Sequence, residues 1–274
     1  MAAVTMSCAT PYVEQLAQVS ANAATYHIPT ELSVDTCRES LQSPGRASGA
    51  ELDTSRIRLV NWNIRKGSMP SWQVDYGVLS NGSDLVLIQE AALRIDTIND
   101  MPTVPYWSFA PGYRTQGEVT GVLTLSNIEP LTQCSFVAME PLLRTPKATS
   151  ITQYGLKDSD QTLVVVNVHA VNFSLGTGAY EDQFSQIGRA LAEHTGPIVL
   201  SGDFNTWRGR RMQIVEELAA SLNLRPLQFA EDHRVKVLGK ILDHIYVRGL
   251  NAVSTETRAV ESSDHNPMSV ELSM

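Results

Sequence analysis

Cysteine is scarce in this chain of 274 residues. There are three, Cys8, Cys37 and Cys134, far apart and with no Cys-x-x-Cys pair. An odd count without paired spacing argues against a disulfide framework and against a zinc site, and the expectation is reduced, structural thiols. Long hydrophobic runs are missing as well. No apolar stretch approaches the roughly 18–20 residues that a membrane helix needs, so no integral membrane protein is expected. The opening segment has no basic region leading into an apolar core; it therefore predicts no signal peptide and a cytoplasmic location. Positive charge is also short, with 21 Lys and Arg against 29 Asp and Glu, a formal net charge of −8. That weighs against sequence-independent nucleic-acid binding over a broad basic face, although a local basic groove is compatible with it.

What is present suits a soluble globular protein. Hydrophobic residues make up 43% and charged residues 18%, enough for a sizeable core. Residues 1–55 lack periodicity, are rich in Ala, Ser and Thr, and are punctuated by Pro11, Pro29 and Pro44; they read as an irregular N-terminal arm. From residue 56 the texture changes, and 56–274 reads as one domain. Strands are predicted at 57–64, 84–90, 119–125, 149–154, 163–168, 198–200, 241–247 and 267–272, from β-rich alternation or short buried apolar runs. Helices are predicted at 72–79, at 181–194 with Phe184, Ile187, Leu191 and Ala192 on one face, and at 210–222 with Val215, Leu218, Ala219 and Leu222 inside. Hairpins mixed with crossover helices predict sheets covered by helices.

The chemistry lies where strands end. Asn63 closes the first strand and Glu90 the second. His169 follows Val164–Val168, and Asp203 and Asn205 sit in Ser201-Gly202-Asp203-Phe204-Asn205. Asp243 opens a strand, and Ser263-Asp264-His265-Asn266-Pro267 precedes the last one. Solvation alone does not account for polar residues at so many strand ends, because ligand and catalytic groups gather on loops at one end of a sheet. A carboxylate, a carboxamide and an Asp-His dyad are the equipment for activating water beside a metal. His27, His194 and His233 read as surface or structural. His244 points to the opposite strand face if Asp243 faces the site.

In this order, Asn-Ile, Gln-Glu, Asn-x-His, Gly-Asp-Phe-Asn and Ser-Asp-His-Asn-Pro resemble the endonuclease/exonuclease/phosphatase superfamily. More narrowly, the stretch 168–176 and Arg210-Arg211-Met212 are similar to its bacterial YafD-like branch. The resemblance implies an α/β (α+β), DNase I-like β-sandwich of two sheets flanked by helices, and a Mg²⁺-dependent phosphoester hydrolase of nuclease or phosphodiesterase type, with Mn²⁺ as the other candidate ion. Glu90 is implied as main metal ligand, with Asn63 and Asp264 nearby. His265 is implied as general base, oriented by Asp243. Asp203 and Asn205 would position water and a phosphoryl oxygen, and His169 would donate to the developing charge. Lys147, Arg144 and Asn172 are candidate substrate contacts. Arg208, Arg210 and Arg211 read either as a grip on a polyanion or as a solvated helix face. The expected substrate is nucleic acid, narrowly ahead of a phospholipid or inositol phosphate, and the expected state a monomer. A non-catalytic binding scaffold of the same fold is the remaining alternative.

Overall fold

The computed structural model describes residues 26–27, 33–45, 49–93, 104–115 and 118–274. The strands are β1 (Tyr26–His27), β2 (Ile57–Asn63), β3 (Leu85–Ala92), β4 (Tyr106–Thr115), β5 (Glu118–Ser126), β6 (Thr132–Met139), β7 (Pro146–Gly155), β8 (Thr162–His169), β9 (Ile198–Asp203), β10 (Arg225–Pro226), β11 (Lys236–Val237), β12 (Lys240–Ile241), β13 (Asp243–Arg248), β14 (Asn251–Thr257) and β15 (Met268–Ser273). The helices are α1 (Val34–Gln42), α2 (Trp72–Ser80), α3 (Gly178–Leu191) and α4 (Gly209–Ser221). One sheet runs β1-β4-β5-β3-β2-β15-β14 and the other β10-β13-β9-β8-β7-β6. Both are mixed, with β2 parallel to β3 and β8 parallel to β9.

Strand alternation sorts side chains into three apolar layers. Between the sheets lie Ile57, Leu59, Leu85, Leu87, Leu163, Val165, Val199, Ile245, Val247, Met268, Val270 and Leu272. Outside the second sheet, Val164, Val166, Val168, Ile198, Leu200 and Tyr246 pack under α3 and α4, against Phe184, Ile187, Leu191, Val215 and Leu218. Outside the first sheet, Val60, Trp62, Val86 and Ile88 pack with Trp72 and Tyr76 of α2. At about 1.5–3 kcal/mol for each fully buried large apolar side chain, these layers dominate the favourable side of folding. Ala192, expected on the inner face of the helix predicted at 181–194, is exposed just past the end of α3, and Ala190 takes the buried position.

Among elements longer than two or three residues, four were not foreseen: α1, β4, β6 and β14. The first has a physical consequence. Ser33 caps α1 by accepting a hydrogen bond from the Thr36 amide at 3.1 Å. Cys37 and Leu41, one turn apart, then turn inward into the layer beneath α3. Cys37 is joined to Cys134 of β6 by a disulfide across 97 residues, which corrects the expectation of reduced thiols. Spacing gave no sign of it because the partners come from an arm and a strand that meet only after folding; Cys8 lies outside the described residues. Among the described residues, no helix is long and apolar enough to cross a membrane.

Candidate active site

The layer between the sheets is apolar over most of its length and turns polar at one end. Parity explains which residues arrive there. Continuing the inward positions of β2 past Ile57 and Leu59 reaches Asn61 and Asn63. On β3 the same count past Leu85 and Leu87 reaches Gln89; on β8, past Leu163 and Val165, it reaches Asn167 and His169. On β9, Val199 leads to Ser201 and Asp203, and on β13 Ile245 leads back to Asp243. First comes a polar tier: Gln89 Nε2 donates to Asn61 Oδ1 at 2.9 Å and to Asn167 Oδ1 at 2.7 Å, while Asn167 Nδ2 donates to Leu123 O at 3.1 Å. These bonds tie the two sheets in one register, because each buried amide left unpaired would cost about 1–3 kcal/mol. A second polar tier, holding most of the candidate site residues, sits directly beyond.

Asp203 is its centre. In the sheet it lies opposite His169 of β8 and Asp243 of β13. Its Oδ1 accepts the Asn205 amide at 3.0 Å and its Oδ2 accepts Asn63 Nδ2 at 3.1 Å. Gly202 has φ of +149°, and a Cβ there would lie 1.9 Å from the Val168 carbonyl oxygen, so only glycine lets β9 run this close to β8. Phe204 turns the other way, into the layer with Phe184 and Tyr246. Asn205, at φ +51°, turns back and donates to Ala170 O at 3.1 Å. Each letter of Gly-Asp-Phe-Asn thus has its own cause.

Glu90 should face away from the site by strand parity. A β-bulge between Ile88 and Ala91, with Glu90 itself at φ +51°, re-aims it. Its Oε1 comes to 3.8 Å from His169 Nε2.

His265 enters from the loop before β15. Trp62 Nε1 donates to its carbonyl at 2.9 Å, and its amide donates to Ser263 Oγ at 3.2 Å, whose hydroxyl in turn donates to Asn63 O at 2.6 Å. The ring is thereby set with Nδ1 on Asp243 Oδ2 at 2.8 Å and Nε2 facing Asp203 Oδ2 at 3.8 Å. Burial acts to lower its pKa, but the carboxylates of Asp243 and Asp203 outweigh burial and raise it to about 10. Burial also raises the Asp203 carboxyl above its ordinary range; His265 pulls it back and Asp243 adds to the rise.

His169 behaves in the opposite sense. Burial, then the charges of Lys147, His265 and Lys66, hold it well below the ordinary histidine value, and it is neutral at pH 7. Lys147 Nζ lies 3.0 Å from its Nε2. Since an ammonium only donates, that nitrogen is the acceptor and the ring proton sits on Nδ1. Lys147 also faces Glu140, at 3.9 Å. Lys66, Glu90, Tyr113, Lys147, His169 and Phe173 line a cavity of about 150 Å³ here.

The structure therefore brings together Asn63, Glu90, Lys147, His169, Asp203, Asn205, Asp243 and His265. It does not bring in Asp264, whose half-exposed carboxylate turns to Arg65 Nε at 3.7 Å. Arg144 is exposed on the loop between β6 and β7. Asn172 is held on all sides: its amide donates to Glu140, its side-chain oxygen accepts from Trp207 at 2.8 Å, and its carbonyl accepts from Arg211. His244 packs against Phe204 and Tyr246 on the far face, as its parity requires.

One residue, Glu140, escaped the sequence reading, and another, Arg211, was read as substrate-facing or solvated but is buried. Glu140, 1% exposed, accepts the amides of Asn172 and Phe173 at 2.6 and 3.1 Å and the Thr145 hydroxyl. Arg211 is buried and donates to Val171 O at 2.9 Å, Asn205 O at 3.0 Å and Ser174 Oγ at 3.2 Å. A lone Glu before proline and one Arg among three carry no signal of burial. Of the other two, Arg210 pairs with Glu217 and Glu181 on the surface, and Arg208 lies over the Trp207 ring.

Hard oxygen donors stand open at this edge. The Glu90 carboxylate is partly exposed, with His169 Nε2 at 3.8 Å, and Asp243 Oδ1 is buried without a hydrogen-bond partner. Asp203, Asp243 and His265 also offer ligand atoms within 4.8 Å of one another. Such a set suits a hard divalent cation.

The fold is a DNase I-like sandwich of two sheets and flanking helices with a polar site at one end. The chain belongs to the endonuclease/exonuclease/phosphatase family, whose model matches residues 60–265. It is 34% identical over 232 residues to UPF0294 protein VP2298 of Vibrio parahaemolyticus, covering 83% of this chain and 82% of that one. Among solved structures, the Bacteroides vulgatus endonuclease/exonuclease/phosphatase superimposes with a TM-score of 0.62 at 19% identity, over 80% of this chain and 99% of the other. A Bacteroides thetaiotaomicron mannosyl-6-phosphatase gives 0.57 at 16%, over 80% and 100%.

Proposed function

We propose that this chain is a metal-dependent phosphodiesterase or phosphatase that hydrolyses its substrate by in-line attack of water. The observation that carries the reading is the convergence of Asp243–His265, Asp203 and Lys147–His169 on one edge beside the open carboxylate of Glu90. His265, fixed through Nδ1 by Asp243, presents Nε2 to a water held against Asp203 and accepts its proton. Asn205 and Asn63 fix the Asp203 carboxylate through the Asn205 amide and the Asn63 carboxamide. Lys147 transfers its hydrogen bond from His169 to an anionic phosphoryl oxygen and so offsets charge that grows in the transition state.

Since His265 is oriented as a base, the cation is assigned to Glu90, with Asn63 beside it. When bound, Mg²⁺ or Mn²⁺ polarises the phosphoryl oxygen, offsets charge on the leaving oxygen and lowers the proton affinity of His265.

The mannosyl-6-phosphatase among the structural neighbours supports phosphoester chemistry in this fold, not a particular substrate. Nucleic acid loses weight as the substrate: the net charge is −8, and Arg208, Arg210 and Arg211 are engaged within the protein. A binding scaffold has no use for the whole catalytic set. The Cys37–Cys134 bond favours an oxidising compartment over the cytoplasm.

The decisive experiment incubates the purified protein with bis-p-nitrophenyl phosphate and Mg²⁺ or Mn²⁺. Turnover that EDTA abolishes and that Glu90→Ala lacks is expected. Absence of metal-dependent turnover on this and on a phosphomonoester would sink the enzyme reading.

A further inference from the structure

We propose that two loops beside the catalytic edge form a docking crest for an anionic lipid surface, which presents the phosphoester to the site. The second half of this statement rests on the function proposed above; the docking itself does not.

Eleven large hydrophobic residues are exposed among those described, and five of them lie on these two loops. Met139 ends β6 and Leu142 and Leu143 lie on the segment that joins it to β7, at 53%, 53% and 58% exposure, and Phe173 and Leu175 follow β8, at 52% and 83%. The remaining six are scattered over α2, the β11–β12 hairpin, β14 and the C-terminus. A contiguous apolar crest beside a catalytic cavity needs a partner, because water is a poor one for it.

The crest is built, not frayed. Buried Glu140 on the first loop accepts the Asn172 and Phe173 amides of the second, and Arg211 holds the same second loop from below through Val171 O, Asn172 O and Ser174 Oγ. An anion and a cation, both buried, are thus committed to keeping apolar tips in place and in solvent.

Charge selects the occupant. Over residues 139–149 and 170–177 the only acidic residue is Glu140, which is buried, while Arg144 is exposed and Lys147 lies behind it in the cavity wall. In a chain of net charge −8, a crest that joins apolar tips to cations and exposes no acid is complementary to an anionic membrane interface. It is also continuous with the site, since Leu143 and Phe173 line the cavity shared by Glu90, Lys147 and His169. A headgroup phosphate entering there passes between the apolar tips before it reaches the catalytic edge.

The test sediments the full chain with vesicles of phosphatidylcholine alone and of phosphatidylcholine mixed with phosphatidylglycerol. Binding to the mixed vesicles, weakened by salt, is expected. The double variant Leu142→Asp/Leu175→Asp changes residues that do not line the cavity; it should lose about tenfold or more of this binding and hydrolyse bis-p-nitrophenyl phosphate at the parent rate. Arg144→Glu should weaken binding further toward the neutral-vesicle level. A parent protein that does not pellet, or a double variant that pellets like the parent, overturns the proposal. Equal pelleting on both vesicle types overturns its anionic selectivity and leaves a generic apolar contact. Crest-dependent vesicle binding without any phosphoester turnover would retain the docking surface and reject the enzyme, whereas turnover without vesicle binding would do the reverse.

Discussion

Asp203 has a histidine on each side at nearly equal distance, 3.7 Å to His169 and 3.8 Å to His265. Both rings are largely buried, and both follow or precede strand ends in the same polar tier, yet they titrate in opposite directions. Burial lowers each. At His169 the nearest charge is the Lys147 ammonium, which adds to the lowering, so the ring is neutral. At His265 two carboxylates oppose burial and win, bringing the value to about 10. The residue type is the same and the burial is similar; the sign of the neighbour decides. One side of Asp203 is thereby a proton-binding side, suited to handling water. The other is a cationic side, suited to receiving a phosphoryl oxygen.

The largest expected break in this comparison is His265→Ala, which should lower kcat by about a thousand-fold or more, as loss of a catalytic base does. Steady-state kinetics at fixed metal concentration measures it. An unchanged rate would mean that the two sides have been assigned the wrong way round.

A smaller effect comes from removing each histidine's neighbour. Asp243 raises His265, so Asp243→Asn should lower that pKa and move the acidic limb of the kcat/KM profile to lower pH, along with a reduced kcat. Lys147 lowers His169, so Lys147→Met should raise the His169 pKa, which an NMR titration of its ring would record. Shifts in the same direction for both would erase the distinction between the sides.

The least effect on chemistry should come from Cys37→Ser, far from either histidine. Loss of a disulfide that closes so long a loop should reduce stability by about 2–4 kcal/mol in urea unfolding. The kcat should stay within about twofold, since the bond lies in the layer outside the second sheet and not between the sheets. Titration of unfolded, unreduced protein should find one free thiol of the three; three would show that the bond does not form.

Most of the site was legible because its residues obey strand parity. A polar residue two positions beyond an inward-facing apolar one, on several strands in turn, marks a shared end of one layer. Asn63, His169, Asp203 and Asp243 were all readable in this way. Glu90 was found by its place at a strand end and by its motif, not by parity, which a bulge overrides. Asp264 was drawn toward the site by adjacency to His265, whereas alternation in the loop turns it outward to Arg65. The burial of Glu140 and Arg211 was invisible: it depends on partners far away in the chain, and no local pattern announces it. The helix α1 has its cap at Ser33 and its apolar pair Cys37 and Leu41 in plain view, but nine residues are too few for periodicity to stand out.

The sequence by itself determined most of the core strands, the two long helices, the order of the candidate site residues and the family to which the chain belongs. These depend on alternation, apolar runs and short motifs, all of which are local. Only the tertiary structure decided that Cys37 meets Cys134, that Glu140 and Arg211 clamp one loop, and that two histidines of one site carry opposite proton affinities. Each of those outcomes depends on which distant group lies within a few ångströms once water has been excluded. At that range, in a medium of low polarity, a neighbour's charge outweighs the intrinsic preference of the residue itself.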